Sequence, residues 1–175
     1  MQTIRSFYEI PITGHKVLIL CDIDETLLTW DKTMNSFLQT AQNQFPRHTL
    51  ETLQRYATLM FSNYRKLVAP KWTDEAGFKN LLARLPKPES RFAFLTARSG
   101  GSSAHYTIED FSKLGIPYEP NGIFYTGNNI SKGEFVKYYI DYKVFDEVIF
   151  IDDLSDNILS MKINCPSIKC FQFII

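Results

Sequence analysis

Charge imbalance, cysteine, histidine and long apolar runs are all missing or scarce in this sequence. Its 175 residues carry 19 basic and 19 acidic side chains, a formal net charge of zero. Without a basic excess, non-specific binding to nucleic acid has no electrostatic drive. The three cysteines, Cys21, Cys165 and Cys170, are too few and odd in number for a disulfide framework. No histidine lies near Cys165 and Cys170, so they do not spell a zinc site. His15, His48 and His105 stand apart from one another, and none is given a catalytic role. No stretch approaches the ~18 apolar residues of a membrane span. The first residues, Met1-Gln-Thr-Ile-Arg-Ser-Phe7, lack the apolar core of a secretory signal. The expectation is a soluble protein of a reducing compartment, cytoplasmic or delivered to a host cell by a signal of another kind. The chain has no internal repeat and no dinucleotide fingerprint. Residues 127–133 have glycine and lysine but not the Gly-Lys-Ser/Thr order of a phosphate-binding P-loop.

Apolar and aromatic residues, by contrast, are plentiful. Hydrophobic residues make up 45% of the chain and aromatics 14%, enough for one well-filled domain with a modest insertion. Val17 to Leu20 reads as a strand buried on both faces, the pattern of a parallel sheet. Further strands are predicted at Arg91–Thr96, Gly122–Gly127, Phe145–Asp153 and Ile168–Ile175. Helices are predicted between them at Ser103–Leu114, Glu134–Tyr142 and Asn157–Ile163. This alternation predicts an α/β fold, Rossmann-like and doubly wound, with a mainly parallel five-stranded sheet. Phe7 to Ile12 is a candidate edge strand because Pro11 suits an edge. Residues 31–88 differ in character, with three helical stretches and no convincing strand. The first starts near Asp31 and Thr33, the second runs from about Thr49 to Pro70, and the third is capped by Thr73. The expected division is a core of 1–30 and 89–175 with a helical insertion at 31–88. The chain ends on an apolar strand, which suggests a piece of a longer protein.

The strand ends carry the chemistry. The first ends in Asp22, Asp24 and Thr26, and the second in Thr96. Lys132 opens the helix after the third, and the fourth ends in Asp152 and Asp153 with Asp156 one turn on. Each has a bland reading: Thr96 as a turn residue, Lys132 as a solvated helix start, the acids as helix-capping charges. Jointly these lose force, because a parallel sheet brings all of the groups to one edge, where ligands gather. Two carboxylates ~4 Å apart repel by ~4 kcal/mol at an effective dielectric of 20. Asp22, Asp24 and Asp152 converging as anions therefore call for a cation. Oxygen ligands with open positions favour Mg²⁺ over Ca²⁺. A metal beside a lysine and a hydroxyl makes a receptacle for a phosphoryl group. Asp22 is placed to attack phosphorus and Asp24 to move the leaving group's proton.

Asp-Ile-Asp-Glu-Thr (22–26), Leu-Thr96-Ala-Arg, Ser-Lys132-Gly-Glu and Ile-Asp152-Asp153 resemble, in order and spacing, the four motifs of the haloacid dehalogenase (HAD) superfamily. The resemblance spans 16–175 and implies a phosphatase working through an aspartyl-phosphate on Asp22, with Asp24 as general acid/base. Thr96, Ala97 and Lys132 would bind the phosphoryl group. Mg²⁺ would be held by Asp22, by Asp24 through its main-chain carbonyl, and by Asp152. Thr26, Asp153 and Asp156 would stand in the outer shell. The insertion at 31–88 falls where the superfamily's C1 caps fall. The chain is also similar to a bacterial subgroup of the superfamily described only as of unknown function, and to HAD-type effector phosphatases of intracellular bacteria. It departs from common HAD patterns at Glu25 and Ile151, where many members have glycine.

Other readings compete. A receiver domain shares the acidic cluster, Mg²⁺, Thr and Lys, but carries its acidic pair on the first strand and has no helical insertion there. A non-catalytic phosphate-binding protein is a third reading. Within the superfamily, small-metabolite (sugar or nucleotide) phosphatases, phosphotransferases and mutases stay open. The insertion's aromatics Trp30, Phe37, Tyr64 and Trp72 are candidates to rim the entrance. Its cations Lys32, Arg47, Arg65, Lys66 and Lys71 could meet acidic groups. That pattern suits an aryl phosphate such as phosphotyrosine.

Overall fold

The computed structural model describes residues 2–101, 104–127 and 129–175. Among them, six strands form one sheet in the order β1 (Gln2–Ile4), β8 (Lys169–Phe173), β7 (Glu147–Asp152), β2 (Val17–Cys21), β5 (Arg91–Thr96), β6 (Ile123–Tyr125). Every pairing is parallel. The α/β, Rossmann-like expectation holds, but the sheet has six strands and not five. The sixth is β1, an edge strand at the N-terminus. The candidate edge strand at 7–12 is instead a 3-10 turn at Phe7–Glu9. Its sequence signal is a Ser6-x-x-Glu9 capping box, in which the Ser6 hydroxyl and the Glu9 carboxylate take up backbone N–H groups. The Phe7 N–H and the Ser6 hydroxyl also bond the Asp74 carboxylate, and the Phe7 ring packs on Phe78 and Phe173.

Each face of the sheet has its own core. Val17, Ile19 and Cys21 of β2 face one layer, which includes Phe78 of α3 (Glu75–Arg84) and Phe111 of α4 (Ala104–Leu114). Leu18 and Leu20 face the other, with Val136 of α5 (Lys132–Tyr139) and Ile158 and Met161 of α6 (Ser155–Asn164). Alternation within an unbroken apolar run is what a strand covered on both sides requires. The chain winds from β2 through β5 to β6 in one direction, and places β7 and β8 on β2's other side. The reversal falls between β2 and β7, the switch point at which α/β sheets bind ligands.

The insertion begins with α1 (Met34–Gln44), capped by Thr33, and α2 (Leu50–Leu67), capped by Thr49. These pack as a hairpin whose inner face includes Ala41, Leu53, Ala57 and Phe61. Contrary to the strand-free reading of 31–88, β3 (Leu28–Thr29) pairs antiparallel with β4 (Lys71–Trp72) and forms the neck. Thr73 does not cap α3. Its hydroxyl bonds the carbonyls of Thr26 and Leu27, and Asp74 is the cap. Helix α3 packs against the 3-10 turn and the sheet through Phe78 and Leu81. The part of 31–88 that stands over the strand ends is therefore α1 and α2. Ser103, predicted as the start of α4, lies outside the described residues.

Candidate active site

Strand β2 hands over to the site at Asp22, whose N–H bonds the Ile151 carbonyl at 2.9 Å. The chain then turns tightly, with the N–H groups of Leu27 and Leu28 both bonding the Ile23 carbonyl. Glu25 takes a left-handed φ of 59° at the tip, a conformation uncommon outside glycine. One of its carboxylate oxygens accepts from the Thr29 hydroxyl and the other is buried with no partner among the described residues.

Asp22, Asp152 and Asp153 each present an oxygen within 4.8 Å of the others, although Asp153 was expected only in an outer shell. Lys132 reaches between the strands, donating to Asp22 and, at 2.6 Å, to Asp152. It is the first residue of α5, and a capping box of Ser131 and Glu134 holds that end. Gly133 makes the approach possible: a Cβ there would lie 2.2 Å from the Ser160 carbonyl oxygen of α6. Asp152 is fixed further by the Leu154 N–H (2.9 Å) and the Asn157 amide (2.9 and 3.1 Å). Thr26 is fully buried and its hydroxyl donates to Asp153.

Asp24 turns away from this group into a second one. Arg98 grips it with a two-pronged fork, Nε and Nη2 each 2.8 Å from a carboxylate oxygen. The far side of Arg98 bonds Asp110 of α4 at 3.0 Å and Thr107 at 3.1 Å. Arg65 of α2 completes a square, 2.8 Å from Asp110 and 3.7 Å from Asp24. The Arg65 guanidinium lies over the Trp30 ring, 4.5 Å from its centroid.

The remaining expected residues are placed as follows. Thr96 is buried at the end of β5, and its hydroxyl accepts the Arg98 N–H. Ala97 is exposed beside it. Asp156, expected in the outer shell, is exposed in the first turn of α6, and Asn157 takes the place at Asp152. Asp110 and Asn157 carried no motif signal. Arg98 stood inside a motif without a role, and Arg65 was only one of several cap cations. The aromatics expected at the entrance are used in packing. Trp30 is buried against Phe61, Phe37 and Tyr64 pack on each other, and Trp72 packs on Phe78. Lys71 pairs with Asp31 at the surface.

Burial dominates the electrostatics. It pushes Asp22 well above the ordinary carboxylate range, helped by Asp152 and Asp24 and opposed by Lys132. Burial and then Asp152 push Asp153 up to about 6. Burial also acts on Asp24, but Arg98 and then Arg65 outweigh it and hold this carboxyl at about 2. Burial would lower Lys132, yet Asp22 and Asp152 keep it above its usual value and charged. The connected groups hold five carboxylates, Asp22, Asp24, Asp110, Asp152 and Asp153, against three cations, Lys132, Arg65 and Arg98. With all of them ionised, two negative charges would be left over at the cluster of Asp22, Asp152 and Asp153 oxygens, a set that fits a hard divalent cation. A cleft of about 440 Å³ opens beside the group, between α2 and α4. Asp24, Arg65, Ala97 and Arg98 line it, with Met34, Phe61 and Tyr106 as its larger apolar surfaces.

No protein-family model matches this sequence, and no curated protein matches it. A solved chain from the Pnkp1/Rnl/Hen1 complex superposes with a TM-score of 0.52 and 17% identity, over 94% of this chain and 48% of that one. The likeness supports the α/β fold. This chain spans about half the length of that chain. Among the described residues, no helix is long and apolar enough to cross a membrane.

Proposed function

We propose that the protein is a Mg²⁺-dependent phosphomonoester hydrolase that works through an aspartyl-phosphate on Asp22. The observation that carries this reading is the meeting of Asp22, Asp152 and Asp153 within 4.8 Å at a sheet switch point, with Lys132 bonded to two of them. The resemblance to HAD motifs agrees with it. Asp22, Asp152 and Asp153 would hold the cation, with Asp24 contributing through its main-chain carbonyl. When bound, the cation neutralises charge on the phosphoryl oxygens and on the carboxylates around them.

Lys132 and the backbone near Thr96 and Ala97 receive the phosphoryl group. An Asp22 oxygen forms a bond to phosphorus as the bond to the leaving oxygen breaks. In the second half, water attacks phosphorus, Asp24 takes the water's proton, and the bond to the Asp22 oxygen breaks to release phosphate. Asp24 is suited to that second half, since Arg98 keeps it ionised. To donate a proton in the first half it must leave the Arg98 fork. A leaving group that departs without much protonation relaxes this demand. A phenol, with an ordinary pKa of about 10, leaves more easily than an alkyl alcohol. The reading therefore extends to aryl phosphates, with phosphotyrosine as the biological example, before sugar or nucleotide phosphates.

The test is hydrolysis of 4-nitrophenyl phosphate with and without Mg²⁺. Phosphate release that requires Mg²⁺ and stops with EDTA is expected. Full activity in metal-free buffer would overturn the metal assignment, and no activity on any phosphomonoester would overturn the hydrolase. Transfer of the phosphoryl group to added alcohol in preference to water would make the protein a phosphotransferase.

A further inference from the structure

The charged square at the cleft contains an asymmetry. Arg98 is spent: it bonds Asp24 through two nitrogens and Asp110 and Thr107 through a third. Arg65 is not. A guanidinium has five N–H donors, and among the described residues Arg65 makes one hydrogen bond, from Nη2 to Asp110. Its Nη1 stands 3.7 Å from an Asp24 oxygen, an ion-pair approach without a hydrogen bond. Nor can the side chain easily move to find another partner. The Trp30 ring lies against it at 4.5 Å, Phe61 at 5.6 Å, and Asp110 tethers its end. Its side chain is 19% exposed and forms part of the cleft wall. A fixed, partly desolvated guanidinium with unused donors is a site for a planar anion.

The two acids nearby balance the two arginines in charge, but their bonded oxygens leave most Arg65 donors unused. Both Asp24 oxygens accept from Arg98, and the Asp110 oxygen that meets Arg65 also accepts from Arg98. Lys66, Lys113 and Glu109 also line the cleft, and Lys66 stands over the Tyr106 ring at 5.9 Å. Four cations against three acids leave the lining with one positive charge in excess.

We propose that Arg65 selects phosphate esters whose leaving group carries its own carboxylate. This deepens the hydrolase reading and rests on it. The phosphoryl group sits at Asp22 and Lys132, the ester oxygen faces Asp24, and the leaving group passes into the cleft. A carboxylate a few ångströms beyond the ester oxygen then meets the free donors of Arg65. The residue comes from the cap helix α2, so substrate charge is read by the cap and chemistry is carried by the core. Asp110, buried on α4, acts as a positioning residue that holds Arg65 to this task.

Non-hydrolysable phosphonates test this separately from catalysis. Mg²⁺-loaded protein is titrated calorimetrically with phenylphosphonate, 4-carboxyphenylphosphonate and 4-(aminomethyl)phenylphosphonate. The carboxylate is expected to bind at least tenfold more tightly than the parent, and the amine more weakly than it. In Arg65→Met the carboxylate preference should fall within twofold, whereas Lys79→Met, at an exposed position of α3, should keep it. Equal binding of the three by the wild type overturns charge selection and leaves the hydrolase reading standing. Tenfold preference surviving in Arg65→Met overturns the role of Arg65. Should Arg65→Met fail to fold, the wild-type series and Arg65→Lys, which keeps the charge and should keep a preference above twofold, decide the matter. Selective binding with no hydrolysis of the matching phosphates would overturn the hydrolase and keep the selectivity. Binding of none of the three overturns the selectivity, and the hydrolase with it only if the matching phosphates are also not hydrolysed.

Discussion

Strand β7 begins at one buried acid, Glu147, and ends at another, Asp152, and the two ends behave differently. At the start, Glu147 is saturated. It accepts from the N–H groups of Thr13 and Gly14 at 2.7 Å, from the Thr13 hydroxyl at 3.1 Å and from Lys169 at 2.5 Å. Burial would raise its pKa, but Lys169 and those N–H groups outweigh it and hold the carboxyl below its ordinary value. At the far end, Asp152 shares Lys132 with Asp22, Asp153 crowds in, and both neighbours are pushed up. One end satisfies its acid with donors from the chain, and the other crowds three carboxyl groups around one lysine. Buried acids of the first kind hold a fold together, and those of the second kind wait for a ligand.

The strongest way to break this contrast is Asp22→Asn. If Asp22 is the nucleophile, turnover should fall by at least a thousandfold, about 4 kcal/mol in the barrier. The melting temperature should stay level or rise, because one of the crowded acids becomes neutral. A variant keeping more than about a tenth of the wild-type kcat would refute covalent catalysis by Asp22.

Glu147→Gln should do the opposite, leaving kcat within about twofold and lowering stability. Loss of hydrogen bonds to a charged group costs about 2 kcal/mol, to be read by urea denaturation at neutral pH. The pH dependence follows from the lowered folded pKa. Unfolded, Glu147 has its ordinary value of 4.5. The charge therefore stabilises the fold fully above that value, and the contribution is lost as pH falls from there through the lower folded pKa. The gap between wild type and Glu147→Gln should be constant above pH 5 and close on acidification. A gap that widened with acid would reverse the assignment.

The smallest effect separates neighbours on one helix. Asp156 is exposed and, among the described residues, makes no side-chain hydrogen bond or ion pair with the site, so Asp156→Asn should change kcat/KM by less than about twofold, as surface substitutions usually do. A loss of tenfold in steady-state assays would restore it to the outer shell of the metal site.

Much of this site was legible because it is written locally. Strand β2 announces itself by five consecutive buried apolar residues, and Asp22 and Asp24 follow it directly. Lys132 is marked by the helix start it occupies, and Asp152 by the apolar run before it. The misses have physical causes too. The 3-10 turn at 7–9 hid behind a proline that favoured an edge strand, although its capping box was in view. The β3–β4 neck is two residues a side, too short to show a period. Four aromatics suited a rim as well as a core until packing consumed them.

That Asp22 and Asp152 sit at the C-terminal ends of buried strands follows from the sequence alone, because a buried strand and its first polar residue are adjacent in the chain; the order of those strands in the sheet does not. Nor does the identity of the cleft. Arg65 lies 45 residues from Asp110, and Arg98 lies 74 from Asp24, on separate elements. Nothing local distinguishes Arg65 from the solvated Arg55 nearly three turns earlier, which pairs with Glu51 at the surface. Only the laying of α2 across the strand ends, against Trp30 and opposite α4, desolvates one arginine and leaves the other in water.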